Sequence, residues 1–149
     1  MNTHTDHDLV STFGLLMEAY NSLEKQLGAS LEEQVGVPHN WFEVMLRISR
    51  AHDGLAPMGS LADQVALTGG GVTRMVDRMV AAGLVERVPC ASDRRVVYAQ
   101  LTSEGHAVLD KAVSIHDDNL RRMLSDFTDA ELDELDDTLR RLRGATLAA

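Results

Sequence analysis

LTGGGVTRMVDRMVAAGLVERVPCASDRRVVYAQLTSEG, residues 67–105, decides the fold of this 149-residue chain. Val72, Met75, Val76, Met79 and Val80 recur at helical spacing. Thr68 stands where a helix cap belongs, and Gly83 stands where a glycine commonly ends a helix. Just upstream, Ser60 is placed to cap a short helix, LADQVA, with Asp63 completing a partial capping box. A short helix, a tight turn and a second helix make a helix-turn-helix candidate. Downstream, LVERV (84–88) reads as a strand and PCASD as a loop. RVVYAQL (95–101) then alternates, with Val97, Ala99 and Leu101 on one face and Val96, Tyr98 and Gln100 on the other. This hairpin is too short to be a domain. It is expected to stand as a wing beside the second helix.

Working outward, Phe13, Leu16, Tyr20, Leu23 and Leu27 form a helical stripe, which GVPHN (36–40) breaks. Trp41, Val44, Met45 and Ile48 repeat the pattern in a second helix. HDGLAPMG (52–59) reads as a Gly/Pro loop. On the far side, Thr102 is placed to cap a long helix reaching about Leu124. Thr128 and Glu131 make a capping box for a last helix striped by Leu132, Leu135, Leu139 and Leu142. The predicted fold class is mainly α with a small β-hairpin wing (α+β), in a single domain spanning 1–149. Residues 38–102 form the winged lobe, flanked by helical regions at 6–35 and 103–145.

Composition bounds the function. The chain is 44% hydrophobic and 25% charged, which is globular, and it is only 4% aromatic. It has no apolar run near the roughly 18 residues that a membrane helix needs. Its start, MNTHTDHDLV, lacks the basic and apolar segments of a secretory signal. Cys90 is the single cysteine, so no internal disulfide framework exists. A soluble, cytoplasmic protein is expected. There is no nucleophile elbow, phosphate loop or paired metal motif, so an enzyme is not expected. Of the histidines, only His4 and His7 have ligand-like spacing, in a terminal segment, so neither a metal nor another cofactor is expected.

The formal net charge is −9, but it is unevenly spread. Residues 70–103 carry five arginines against three acids, whereas the segments on either side are acidic. A positive island of this kind suits a polyanion. The major groove of DNA admits one α-helix. Opposite the apolar stripe of the second helix lie Thr73, Arg74, Asp77 and Arg78, with Gly69, Gly70 and Gly71 at its start. Glycines are poor helix formers, but they allow close backbone approach to another surface. Alternatively, GGG is a flexible loop ahead of a helix that starts later. Arg94 and Arg95 sit at the wing tip, where an arginine can enter the electronegative minor groove. Asp93 can hold one of them by a charge-assisted hydrogen bond. In isolation, DRR would instead read as a solvated turn with an incidental ion pair.

With these residues in place, GLVERVPCASDRRVVYAQLTSEG resembles the wing of the MarR family of bacterial transcription regulators. The family pattern is Asp-x-Arg, five residues, then Leu-Thr and a nearby Gly. Asp93, Arg95, Leu101, Thr102 and Gly105 match it in register. VTRMVDRMVAAGLVER is similar to the family's recognition helix and its exit. The resemblance extends over nearly the whole chain. It implies a winged-helix homodimer whose first and last two helices interlock while two lobes grip a palindromic operator on double-stranded DNA. The stripes at 13–27 and 132–142 fit this independently, because a lone chain of this length has little core to cover both. The resemblance makes Arg95 the minor-groove residue and Asp93 its buttress. It places recognition contacts at Gly69–Gly71, Thr73 and Arg74, with Arg78 nearer the phosphates; Ser60 and Thr68 complete the expected DNA-contacting set. Many relatives carry polar side chains where Gly69–Gly71 stand, so base reading rests on fewer residues here.

The resemblance further implies a small effector, often an aromatic or phenolic acid, that releases the DNA. Its expected lining is Met17, His39, Trp41, Met45 and Met58, with His39 near a carboxylate, although Met and Trp at helical spacing also suit a plain core. Two alternatives stay open. One is a redox response through Cys90, whose thiolate the neighbouring arginines would stabilise. The other is a winged helix that binds protein and not DNA.

Overall fold

The computed structural model describes residues 8–64 and 69–147. Ten elements follow one another: α1 (Leu9–Val35), α2 (His39–Arg50), a 3-10 turn (His52–Gly54), β1 (Ala56–Pro57), α3 (Met58–Gln64), α4 (Gly69–Ala81), β2 (Val85–Pro89), β3 (Val97–Leu101), α5 (Ser103–Met123) and α6 (Asp129–Leu147). The wing and the helices other than α3 fall where the sequence puts them. The chain divides into two compact units, one ending at His116 and the other beginning at Asp117.

In the first unit, the core is built by helix stripes closing on one face of a small sheet. Val72, Met75, Val76 and Met79 of α4 are buried, and Val80, expected to join them, is exposed. They meet Leu31, Val44, Met45, Ile48 and Leu61, with Val85, Ala99 and Leu101 from the sheet. In α2 the buried set is Phe42, Val44, Met45 and Ile48. Phe42 takes the place that the sequence assigned to Trp41, which is only partly buried. Burying side chains of this size contributes about 1.5–3 kcal/mol each, before the entropy of ordering them is charged.

The sheet is three-stranded and antiparallel, in the order β1-β3-β2. β2 and β3 pair from Val85↔Leu101 to Pro89↔Val97, which is the expected hairpin. β1 is an addition, within the stretch that the sequence predicts as a Gly/Pro loop. Ala56 pairs with Ala99 and Pro57 with Tyr98. Its pairing places the chain so that α3 starts directly at Met58. Ser60 is therefore inside the first turn of α3 and is not its cap, which corrects the expectation. Thr68 lies outside the described residues. α4 runs from Gly69, so the three glycines belong to its first turn and not to a loop before it.

Two positions near the wing require glycine. Gly83 ends the helical turn after α4 with φ +77°, a left-handed conformation that L side chains rarely adopt. A Cβ on Gly105 would stand 2.0 Å from the carbonyl oxygen of Leu84. That contact exists because Thr102 ties α5 to the end of α4. Its hydroxyl donates to the Gly83 carbonyl at 2.6 Å and accepts from the Gly105 N–H at 3.0 Å, so it caps α5 as expected. The Thr102 N–H donates to the Leu84 carbonyl at 3.0 Å. The Leu-Thr-x-x-Gly pattern is thus the joint between hairpin and helix.

α1 is capped by Asp8, which accepts from the Val10 N–H at 3.0 Å. Of its stripe, only Leu27 is buried within the chain, while Phe13, Leu16 and Tyr20 are exposed. In the second unit, α6 opens with the expected capping box. The Thr128 N–H donates to Glu131 Oε2 at 2.8 Å, and the Glu131 N–H donates to Thr128 Oγ1 at 3.2 Å. α6 has no buried residue, and Leu135, Leu139 and Leu142 are all exposed. Among the described residues, no helix is long and apolar enough to cross a membrane.

Candidate nucleic-acid interface

The apolar stripe of α4 fixes which face looks outward. With Val72, Met75, Val76 and Met79 held in the core, Thr73, Arg74, Asp77 and Arg78 are all exposed on the opposite side. The structure therefore brings the expected recognition residues onto one helix face, with the Gly69–Gly71 backbone at its N-terminal end. That end carries the orphan N–H groups and the positive end of the helix dipole.

The wing tip is a small hydrogen-bonded turn. The Cys90 N–H donates to the Val96 carbonyl, and the Val96 N–H to the Asp93 carbonyl, both at 3.1 Å. Asp93 grips Arg95 three times. Its Oδ1 accepts the Arg95 backbone N–H at 3.0 Å and the side-chain Nε at 3.1 Å, while Oδ2 accepts Nη2 at 3.2 Å. The Arg95 side chain is still 90% exposed. An exposed pair of this kind adds little stability, because water screens it. Its effect is to restrict where the guanidinium can go. The same guanidinium holds the Asp93 carboxyl below its ordinary pKa. Arg94 is exposed beside it.

Arg87 is the residue that sequence reasoning passed over. Its Nη2 lies 2.6 Å from Asp77 Oδ1 and 3.4 Å from the Thr73 carbonyl oxygen, so β2 is pinned to α4. A signal was available. Strand alternation puts Arg87 on the face of Val85, where an apolar residue is the rule. Between α3, α4 and the wing lies a cleft of about 680 Å³, lined by Met58, Ser60, Asp63, Thr73, Arg87 and Arg95 among others.

Among the described residues, the expected effector side chains stand in different surroundings. Met58 lines that cleft. Met45 is sealed in the core, Trp41 packs against it, and Met17 is exposed on α1. His39 stacks on His116 with ring centroids 6.0 Å apart. Its Nδ1 is 3.7 Å from Glu24 and 4.0 Å from Glu43, so a ligand carboxylate there would meet two others. Cys90 opens the wing-tip turn, directly after β2. Its sulfur is 3.3 Å from Ser92 Oγ and 4.0 Å from the Tyr98 hydroxyl. The Ser92 hydroxyl, followed by the backbone N–H groups of Ser92 and Asp93, lowers the thiol's pKa. The arginines expected to do this are not among the causes.

Comparison with known proteins agrees with this geometry. A model of the MarR family matches residues 35–96. The HTH-type transcriptional regulator MhqR of Bacillus subtilis (strain 168) is 26% identical over 130 residues, covering 87% of this chain and 88% of that protein. An uncharacterized HTH-type regulator of the same organism, YhbI, is 31% identical over 104 residues, covering 68% and 66%. Among solved structures, AbsC, a MarR family transcriptional regulator from Streptomyces coelicolor, superposes with a TM-score of 0.82 at 25% identity, covering all of both chains. Sco3205, a MarR family regulator from the same organism solved in complex with DNA, superposes with a TM-score of 0.80 at 26% identity, covering 91% of this chain and 88% of that one. The chain therefore belongs to the MarR family of winged-helix transcriptional regulators.

Proposed function

We propose that this MarR-family regulator acts as a homodimeric repressor that binds a palindromic operator and is released by a small, apolar, acidic ligand. The observation that carries the DNA reading is the pairing of two basic elements on one frame. Arg74 and Arg78 face outward from α4, and Asp93 presents Arg95 from the wing. One suits a major groove and the other an adjacent minor groove. The homodimer is supported by the apolar side chains left uncovered on α1 and α6, including Phe13, Leu16, Tyr20, Leu135, Leu139 and Leu142. The effector is supported by the cleft beside the wing, where an occupant would stand against Arg87 and Arg95.

The test is a mobility-shift titration on DNA flanking the protein's own gene, at two salt concentrations, with and without a panel of aromatic acids. Operator binding that falls steeply with salt, as phosphate contacts require, and is relieved by one acid is the expected result. Absence of binding at low salt would sink the DNA reading and favour a protein partner. A second reading has its own observation, the lowered thiol pKa of Cys90. It predicts that peroxide or a thiol alkylator releases the wild type but not Cys90→Ser. On the primary reading, Cys90→Ser binds DNA and responds to ligand as the wild type does.

A further inference from the structure

We infer that Asp77 and Arg87 form a positioning clasp that sets the wing against the recognition helix, and that Asp77 is not a base-reading residue although it lies on the groove-facing side of α4. The inference rests on the DNA-binding reading. Arg87 pairs in register with Ala99, whose side chain is fully buried, and two residues from Val85, which is also buried. Alternation therefore puts Arg87 on the core-facing side of the sheet. It is the point where the apolar face of β2 gives way to a charge. That charge has a destination. One guanidinium nitrogen meets Asp77 Oδ1 at 2.6 Å and the Thr73 carbonyl at 3.4 Å, so it grips residues one helical turn apart on α4.

The clasp does two things that a phosphate contact would not. It cancels the carboxylate of Asp77, which sits among Thr73, Arg74 and Arg78 and would otherwise repel DNA phosphates. It also fixes the approach of β2 to α4. β2 leads directly into the turn that carries Asp93, Arg94 and Arg95, so the distance between the two DNA-contacting elements depends on it. Arg87 is 32% exposed and Asp77 56%, so the clasp acts by fixing position and cancelling charge and adds little to stability by itself.

The test is a double-mutant cycle on the full-length protein with Arg87→Ala, Asp77→Ala and both together. Operator affinity, its salt dependence and hydrogen exchange of the hairpin amides in the free protein are read for each variant. Arg87→Ala is expected to weaken operator binding about tenfold or more, because it leaves Asp77 uncompensated. The double variant is expected to recover part of that loss, and the salt slope is expected to match that of the wild type. In the free protein, both single variants are expected to exchange the hairpin amides faster. Strictly multiplicative losses, or a salt slope lower by about one contact in Arg87→Ala, would make Arg87 a phosphate ligand and overturn the clasp. Unchanged hairpin exchange would overturn it as well. If the wild type binds no DNA while its hairpin still loosens in the variants, the DNA reading fails and the clasp stands as a joint of the fold alone.

Discussion

α4 and α6 are both amphipathic helices whose apolar stripes can be read directly from spacing, yet they end differently. In α4, Val72, Met75, Val76 and Met79 are buried within the chain. In α6, Leu135, Leu139 and Leu142 remain 46%, 42% and 45% exposed. Periodicity therefore reports that a face is to be covered, and not what covers it. The flanking chemistry separates the two cases. α4 is enclosed by a short helix before it and a hairpin after it, both of which return to its apolar side. α6 follows α5 through a short turn and buries none of its residues.

The sharpest way to break this contrast is to substitute one stripe residue on each helix. Met79 is fully buried, and Met79→Ala is expected to cost about 2–5 kcal/mol of lobe stability, through lost transfer free energy and the cavity left behind. Leu139→Asp is expected to leave the fold of the isolated subunit within about 0.5 kcal/mol, as surface substitutions do. It is expected to shift the solution mass from dimer toward monomer. Denaturant unfolding checks the first, and sedimentation across a concentration series checks the second. A Leu139→Asp protein with an unchanged mass distribution would remove α6 from the dimer proposal.

A second comparison, between the stability and the function of one residue, concerns Arg95. Its side chain is almost wholly exposed, so Arg95→Ala should leave the melting temperature nearly unchanged. Operator affinity is expected to fall by about 1–3 kcal/mol, measured as the ratio of Kd values with the dimer intact. Equal Kd values would detach the wing from recognition.

These effects also mark what could be read from the sequence. The wing, the α4 stripe, the Thr102 cap and the Thr128–Glu131 box were legible because each is a local pattern with a local cause. The Asp93–Arg95 grip was legible for the same reason, since its partners are two residues apart. What was missed is non-local. β1 is only two residues long and becomes a strand through pairing with β3, more than forty residues on. Without β1, Ser60 looked like a cap. Arg87 found its partner ten residues away across a strand-helix joint, where no short motif signals it. Met45 and Met58 look alike by composition and spacing, while tertiary packing seals one in the core and leaves the other at a cleft.

The smaller predicted effects concern the joint and the grip themselves. Thr102→Ala removes both the cap of α5 and the bond to Gly83, and is expected to cost about 1 kcal/mol, within the usual range for lost caps. Thr102→Ser should restore most of it. For Asp93, the sign follows from its lowered pKa. A carboxyl whose pKa is depressed in the folded state favours that state above its unfolded value, here 3.8, and loses this advantage as the pH falls through the folded value. The grip on Arg95 is therefore expected to stay intact from pH 8 to pH 5, and Asp93 should add no titration to operator binding there. A carboxyl titration followed by NMR should find the Asp93 midpoint below 3.8 in the wild type and higher in Arg95→Ala. Identical midpoints would mean that the arginine is not held in solution, and that the wing presents it as one conformer among many.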